Sequence, residues 1–155
     1  MPNEIRTKVD TEASFTITLA SLASGSARQS TMVTNTTQRP AALIYLRIQS
    51  GGTGPTAGAV YEVYLLRGDG NATPYRTDGA GASDAAITIE NANMIGTIVV
   101  TNTANKNFYG DFDTAPLGPL GDEWGIAVKN SSGQALNATE GNHIKRYATY
   151  LPEIQ

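Results

Sequence analysis

A chain of 155 residues with no cysteine and a single histidine is long enough to bury one core, and it excludes disulfide frameworks, thiolate metal sites and thiol nucleophiles. Only 16% of the residues are charged, against roughly 25% in an average soluble domain, and the formal net charge is −3. Without a concentration of Lys and Arg there is no electrostatic footprint for a phosphate backbone, so nucleic acid is not an expected partner.

Residues 1–12 carry both charge signs, no apolar run and no periodicity, which predicts a polar N-terminal arm outside the core. The same stretch lacks the hydrophobic region of a secretory signal, and no window approaches the ~20 apolar residues of a spanning helix, so neither export nor a membrane partner is expected. From Ser14 the chain alternates, with Phe15, Ile17 and Leu19 on one face and Thr16 and Thr18 on the other, the period of a strand. A weaker strand is expected over 29–34. Over 41–49, Ala42, Ile44, Leu46 and Ile48 share a face opposite Leu43, Tyr45, Arg47 and Gln49. The Gly-rich loop 50–58 follows, and the strand 59–67 would return beside 41–49 if the two form a hairpin.

The polar excursion 68–84 is longer than an ordinary connection and is expected to be either functional or mobile. Further strands are expected over 86–90, 94–101, 106–112, 123–130 and 143–151. Helical spacing is nowhere sustained, and short strands at regular intervals favour an antiparallel sandwich or barrel. The expected fold is all-β: one antiparallel β-sandwich over 13–155, jelly-roll-like, with about eight strands and an extended N-terminal arm over 1–12.

No residue set supports catalysis, cofactor binding or a metal. A Ser-His-acid arrangement would have to use His143, whose ordinary role at a strand start is to hydrogen-bond a turn or sit at a strand edge. Transition-metal sites usually need several His or Cys ligands, and neither Asp111-Phe112-Asp113 nor Asp122-Glu123 is followed by the spacing of a calcium loop. Fourteen acidic residues offer many accidental pairs, so no carboxylate pair stands out for glycoside hydrolysis. Arg67-Gly68-Asp69 spells a cell-adhesion tripeptide, but turn chemistry accounts for its Gly and Asp. Asn35, Asn71, Asn130 and Asn137 fit the glycosylation pattern, yet without a secretory signal they serve turns. The glycines of 51–58 lack the Gly-Lys-Ser/Thr ending of a phosphate loop. Among the aromatics, Trp124 beside Ile126 and Val128 is the first candidate for the core. Tyr75 in the long loop is the first for exposure. Tyr45, Tyr61, Tyr64, Tyr109, Tyr147 and Tyr150 lie in expected strands, where they either fill the core and its rim or supply a sugar-stacking or protein-binding platform.

Ile17-Thr18-Leu19-Ala20-Ser21-Leu22-Ala23-Ser24-Gly25-Ser26-Ala27-Arg28-Gln29-Ser30, followed by the apolar stretch 41–48, forms one notable block. Trp124-Gly125-Ile126-Ala127-Val128-Lys129-Asn130, then Ser132-Gly133-Gln134-Ala135-Leu136 and Gly141-Asn142-His143, forms a second. With Asp84-Ala85-Ala86-Ile87-Thr88-Ile89 between them, these blocks resemble a family of small virion proteins of tailed bacteriophages over most of 14–150. Arg67-Gly68-Asp69 and Pro74-Tyr75 in the long loop fall outside the resemblance. It implies a non-enzymatic structural protein of the capsid decoration or cement kind, made in the host cytoplasm and carried on the outer capsid surface of the virion. Its implied partners are the major capsid protein and further copies of itself, as a dimer or trimer. The alternative expectation is a tail or head fibre module that binds a host-surface glycan through exposed aromatics.

Overall fold

A computed structural model describes residues 5–154, Ile154 by its backbone alone. Eleven strands form among them: β1 (Ile5–Val9), β2 (Ala13–Ser14), β3 (Ala27–Gln29), β4 (Val33–Thr34), β5 (Ala41–Gln49), β6 (Val60–Gly68), β7 (Ala85–Ile87), β8 (Asn93–Val99), β9 (Asn107–Asp113), β10 (Glu123–Ser131) and β11 (Ile144–Ile154). One sheet runs β1-β11-β5-β9, with β2 continuing beside β11; the other runs β7-β3-β10-β6-β8, with β4 beside β10. All pairings are antiparallel. Apart from the run β6-β7-β8, each connection between successive long strands crosses from one sheet to the other. This is the jelly-roll sandwich expected from the sequence. The higher strand count reflects short two- and three-residue pairings that extend eight principal strand positions.

β5 and β6 are not a hairpin: they lie in opposite sheets. Each has an apolar inward face, Ile44, Leu46 and Ile48 on one and Tyr61, Val63 and Leu65 on the other, and both faces belong to one core. The expected strand over 29–34 is likewise divided, because Ser30 interrupts it. Ser30 N–H donates to Ile126 O at 2.8 Å while its buried Oγ accepts Ile126 N–H at 3.1 Å, so a side chain takes the place of a ladder bond. Gly125 is required beside it, since a Cβ there would sit 2.8 Å from Ser30 Oγ.

The central core gathers around Trp124, whose ring meets Phe15 and Tyr147 edge to face at centroid distances of 5.4 and 5.0 Å. Phe15, Ile17 and Leu19 are buried and Thr16 and Thr18 exposed, as the alternation predicts, but residues 15–19 join neither sheet. They cross from one sheet to the other, and carboxylates stand in for a neighbouring strand. Asp84 accepts Thr18 N–H at 3.0 Å and Thr18 Oγ1 at 2.6 Å, and Glu140 accepts Leu19 N–H and Ala20 N–H at 2.8 and 2.7 Å. At one side of the sandwich β8 approaches β9 across the sheets. Gly96 and Gly110 make that approach possible, since a Cβ on either would lie 2.7 Å from Phe112 or Ile98.

The long excursion is a cover. Ala80 packs with Tyr64, Leu66 and Ala127 in a second apolar cluster on the outer face of the six-stranded sheet, joined by Met32, Ile87, Ile89 and Ala92. Buried Gln29 clamps it, donating to Gly81 O and Ser83 O at 2.7 Å and accepting Gly81 N–H at 3.1 Å. Asp78 accepts the N–H groups of Glu90, Asn91 and Ala92.

Within the segment expected as an arm, residues 5–9 form β1 on the edge of the four-strand path, beside β11, with every side chain exposed. Asp10 anchors its end through Arg39 at 2.7 and 2.9 Å and Thr149 Oγ1 at 2.7 Å. Residues 1–4 lie outside the described range.

Candidate functional site

Of the residues weighed for chemistry from sequence, His143, Asp113, Glu123, Arg67 and Asp69 are held by their own chain. His143 is buried, with Nδ1 accepting Gln49 N–H at 3.3 Å and Nε2 lying 3.1 Å from Asn137 O. An Nδ1 that accepts requires the proton on Nε2, so the ring is neutral and ties a turn to β5. Burial lowers its pKa below the ordinary 6.5, against the opposing pull of the Asn137 hydrogen bond and the Glu140 charge. A depressed folded pKa means that the unfolded chain takes up its proton first as pH falls. His143 therefore stabilises fully above about pH 6.5 and less towards its lower folded value. Calorimetry is expected to show stability falling below pH 6.5 with a slope approaching 1.4 kcal/mol per pH unit at most, the limit for one proton. In His143→Gln that slope should disappear between pH 6.5 and 5; parallel curves would assign the proton to another group.

Asp113 accepts Tyr150 OH at 2.7 Å and Ala115 N–H at 2.9 Å, while Glu123 pairs with Arg76 at 2.8 Å. No three His, Asp or Glu side chains among the described residues come together to hold a metal ion. In the adhesion-like tripeptide, the Arg67 guanidinium donates to the carbonyls of Leu117, Gly118 and Pro119 at 2.6–3.2 Å. Asp69 closes its own loop by accepting Asn71 and Tyr75 N–H groups. Both side chains are thus engaged by their own chain, Arg67 by carbonyls and exposed Asp69 by its loop.

The aromatics separate into two sets. Trp124, Tyr61 and Tyr64 are buried, and Tyr147 packs half-buried against the core. Tyr75 is 70% exposed in the loop, as expected. Tyr45, Tyr109 and Tyr150 lie on the outer face of the four-strand path. The parity follows from the register: Ile44 faces Phe112 and Ile48 faces Phe108 inside, so Tyr45 opposite Asp111 and Arg47 opposite Tyr109 point outside. On the β11 side, Arg146, Ile144 and Ala148 complete the rows across Tyr45, Arg47 and Leu43.

The two sheets thus differ in their outer faces. The six-stranded sheet carries its own cover, whereas the outer face around Tyr45, Arg47 and Tyr109 is an open plane of Tyr, Arg, Asp and aliphatic side chains. Beyond Tyr150, β11 outruns β5 and is paired by β1 alone, so the terminal strands project as a two-stranded ribbon. Asp10 N–H bonds to Thr149 O and Phe15 N–H to Lys145 O, so odd-numbered backbone groups of β11 face β1 and β2. By that parity Pro152 turns its missing N–H to the free edge left by β5, which protects that edge from strand addition. The outer edge of β1, through Ile5, Thr7 and Val9, has no such guard. At the ribbon base, Pro40, Ala41, Ala115, Pro119, Tyr150 and Pro152 line an apolar recess. Alternation on β5 revealed the outward side of Tyr45 and Arg47, but no sequence signal indicated which outer face would remain uncovered. No protein-family model, curated protein or solved structure matches this chain.

Proposed function

We propose that this chain is a non-enzymatic structural protein of a bacteriophage virion, a decoration or cement protein that binds the outer surface of the major capsid protein and stabilises the shell. The observation that carries the reading is the projecting β1–β11 ribbon, exposed along β1 with Ile5 at 73% and Val9 at 48%. A two-stranded ribbon gains little stability by itself in water. Its natural use is to lay an unpaired strand edge and apolar side chains on a neighbour. Its anchoring at Asp10 lets it reach without loosening the sandwich. The virion-like blocks of sequence supply the partner, and jelly rolls are common in capsid and lectin domains, although fold by itself does not assign function. A glycan-binding fibre module would favour a cleft floored by aromatics; Tyr45 and Tyr109 lie on the outer face of a sheet, which favours the shell reading.

Co-sedimentation with undecorated shells tests this. The full chain should pellet with shells, while a chain beginning at Asp10 should keep a melting temperature within a few degrees and lose roughly tenfold or more in affinity. Equal pelleting of the two would remove the ribbon from the mechanism. Failure of the full chain to pellet would remove the shell reading.

A further inference from the structure

On the open sheet face, Arg47 differs from its counterparts. Arg28 and Asp84, Arg39 and Asp10, Arg76 and Glu123, and Arg146 and Glu12 form ion pairs, and Arg67 is saturated by carbonyls. Arg47 has no such acceptor, and its Nε is shut off from water with no hydrogen-bond partner. A buried donor left unsatisfied is destabilising. Asp111, exposed on the adjacent strand β9, is equally without a hydrogen bond or ion pair among the described residues, and the two do not reach each other.

These residues occupy opposite corners of a near-square patch of roughly 5 by 7 Å, one strand spacing by two residues of rise. Arg47 stands opposite Tyr109, and Tyr45 stands opposite Asp111. Charges of opposite sign fill one diagonal and aromatic rings fill the other. A two-fold axis lying in the plane of the face along the tyrosine diagonal brings the charged corners of the two copies to within a few ångströms of each other, inside the reach of an arginine side chain. Each Arg47 then meets an Asp111 of the second copy, while each tyrosine meets its own equivalent. The pattern is self-complementary, as an isologous interface demands. Tyr and Arg are also the residues enriched at the energetic centres of interfaces.

We propose that this face is a dimer interface, and that its occupant is a second copy of this chain docked through two Arg47–Asp111 ion pairs around Tyr45 and Tyr109. Strands β5 and β9, residues 144–150 of β11 and the short β2, spaced about 4.8 Å apart at about 3.4 Å per residue, present an area of roughly 400 Å². That is below the approximately 800 Å² per partner of a standard stable interface, so the dimer dissociates in the micromolar range. The projecting ribbon lies outside the square, which leaves each copy free to use it elsewhere. The dimer does not depend on the shell-binding reading.

Sedimentation equilibrium of the full chain, run from about 1 to 100 μM, reads the association directly. The wild-type chain should pass from monomer to dimer over that range. Asp111→Arg, at an exposed position that cannot disturb the fold, should weaken association by roughly tenfold or more, and Arg47→Asp should do the same. The double variant Arg47→Asp/Asp111→Arg restores opposite charges across the axis and should recover most of the wild-type affinity. Melting curves establish that each variant is folded. A monomer at all concentrations, an Asp111→Arg chain that dimerises normally, a trimer, or a double variant no stronger than the singles would overturn the proposal. Binding of an acidic saccharide by an entirely monomeric chain, lost in Arg47→Asp, would reassign the face to a glycan.

Discussion

Trp124→Ala is expected to destabilise the fold by about 3 to 5 kcal/mol, the range for truncating a fully buried large aromatic. Trp124 is entirely buried on β10, and its two edge-to-face partners reach it from different places: Phe15 from the segment that crosses between the sheets, Tyr147 from β11 in the opposite sheet. Phe15 and Tyr147 also touch each other, at 4.6 Å. Removing the indole therefore opens a cavity bounded by both sheets, which cannot close without moving one relative to the other. A loss of this size is a large part of the roughly 5 to 15 kcal/mol that holds an ordinary domain together. Urea unfolding followed by circular dichroism should show a lower midpoint with an unchanged slope. Tyr109→Ala, with its ring 69% exposed, is the control and should change stability by no more than about 0.5 kcal/mol. A Trp124→Ala loss below about 1 kcal/mol would mean that the ring does not fill the space between the sheets.

Glu140→Ala is expected to cost about 2 to 4 kcal/mol, because one carboxylate serves three groups. It accepts the N–H groups of Leu19 and Ala20 and pairs with Lys145, whose Nζ also donates to Ile17 O at 3.1 Å. Without it, two backbone donors beside the core lose their acceptor, and a mostly buried ammonium loses its counter-ion. Burial by itself would raise the Glu140 pKa, but the bonds from Lys145, Ala20 and Leu19 outweigh it and hold the pKa below the ordinary 4.5. A depressed carboxylate contributes stability above about pH 4.5 and loses it as pH falls through the folded value. The wild-type and Glu140→Ala melting temperatures should accordingly differ most near neutrality and converge in acid below about pH 4. Glu140→Gln, which keeps an acceptor oxygen but no charge, should fall between them. A gap that stays constant down to pH 3 would mean that the carboxylate charge is not what holds residues 15–20.

Local pattern alone identified much of this molecule. The alternation in 15–19 and in 41–48 correctly sorts inward from outward side chains, since the two-residue repeat of an extended chain needs no knowledge of neighbours. The long strands after residue 90 were legible within one to three residues at each end, because Gly, Asn, Asp and Pro mark their turns. Trp124 could be placed in the core from its apolar neighbours, and His143 could be expected to hydrogen-bond a turn, as it does at Asn137. What the pattern could not reveal was which strand lies beside which. β5 and β6 look like a hairpin in sequence and face each other across the core in space, and residues 15–19 look like a strand yet bond to Asp84 and Glu140. Tyr45 and Tyr64 show the same limit. Each lies on a regular strand and points away from the central core, but Tyr64 is covered by Ala80, Ile87 and Ile89, while Tyr45 stays on an open plane with Arg47 and Asp111. Which residues share a face is a property of the local backbone and is readable from the order of residues. Which outward faces are covered and which remain open depends on segments brought back from elsewhere in the chain, such as Met32, Ala80 and Ile87 over Tyr64, whose closure is set by the energy of the whole fold.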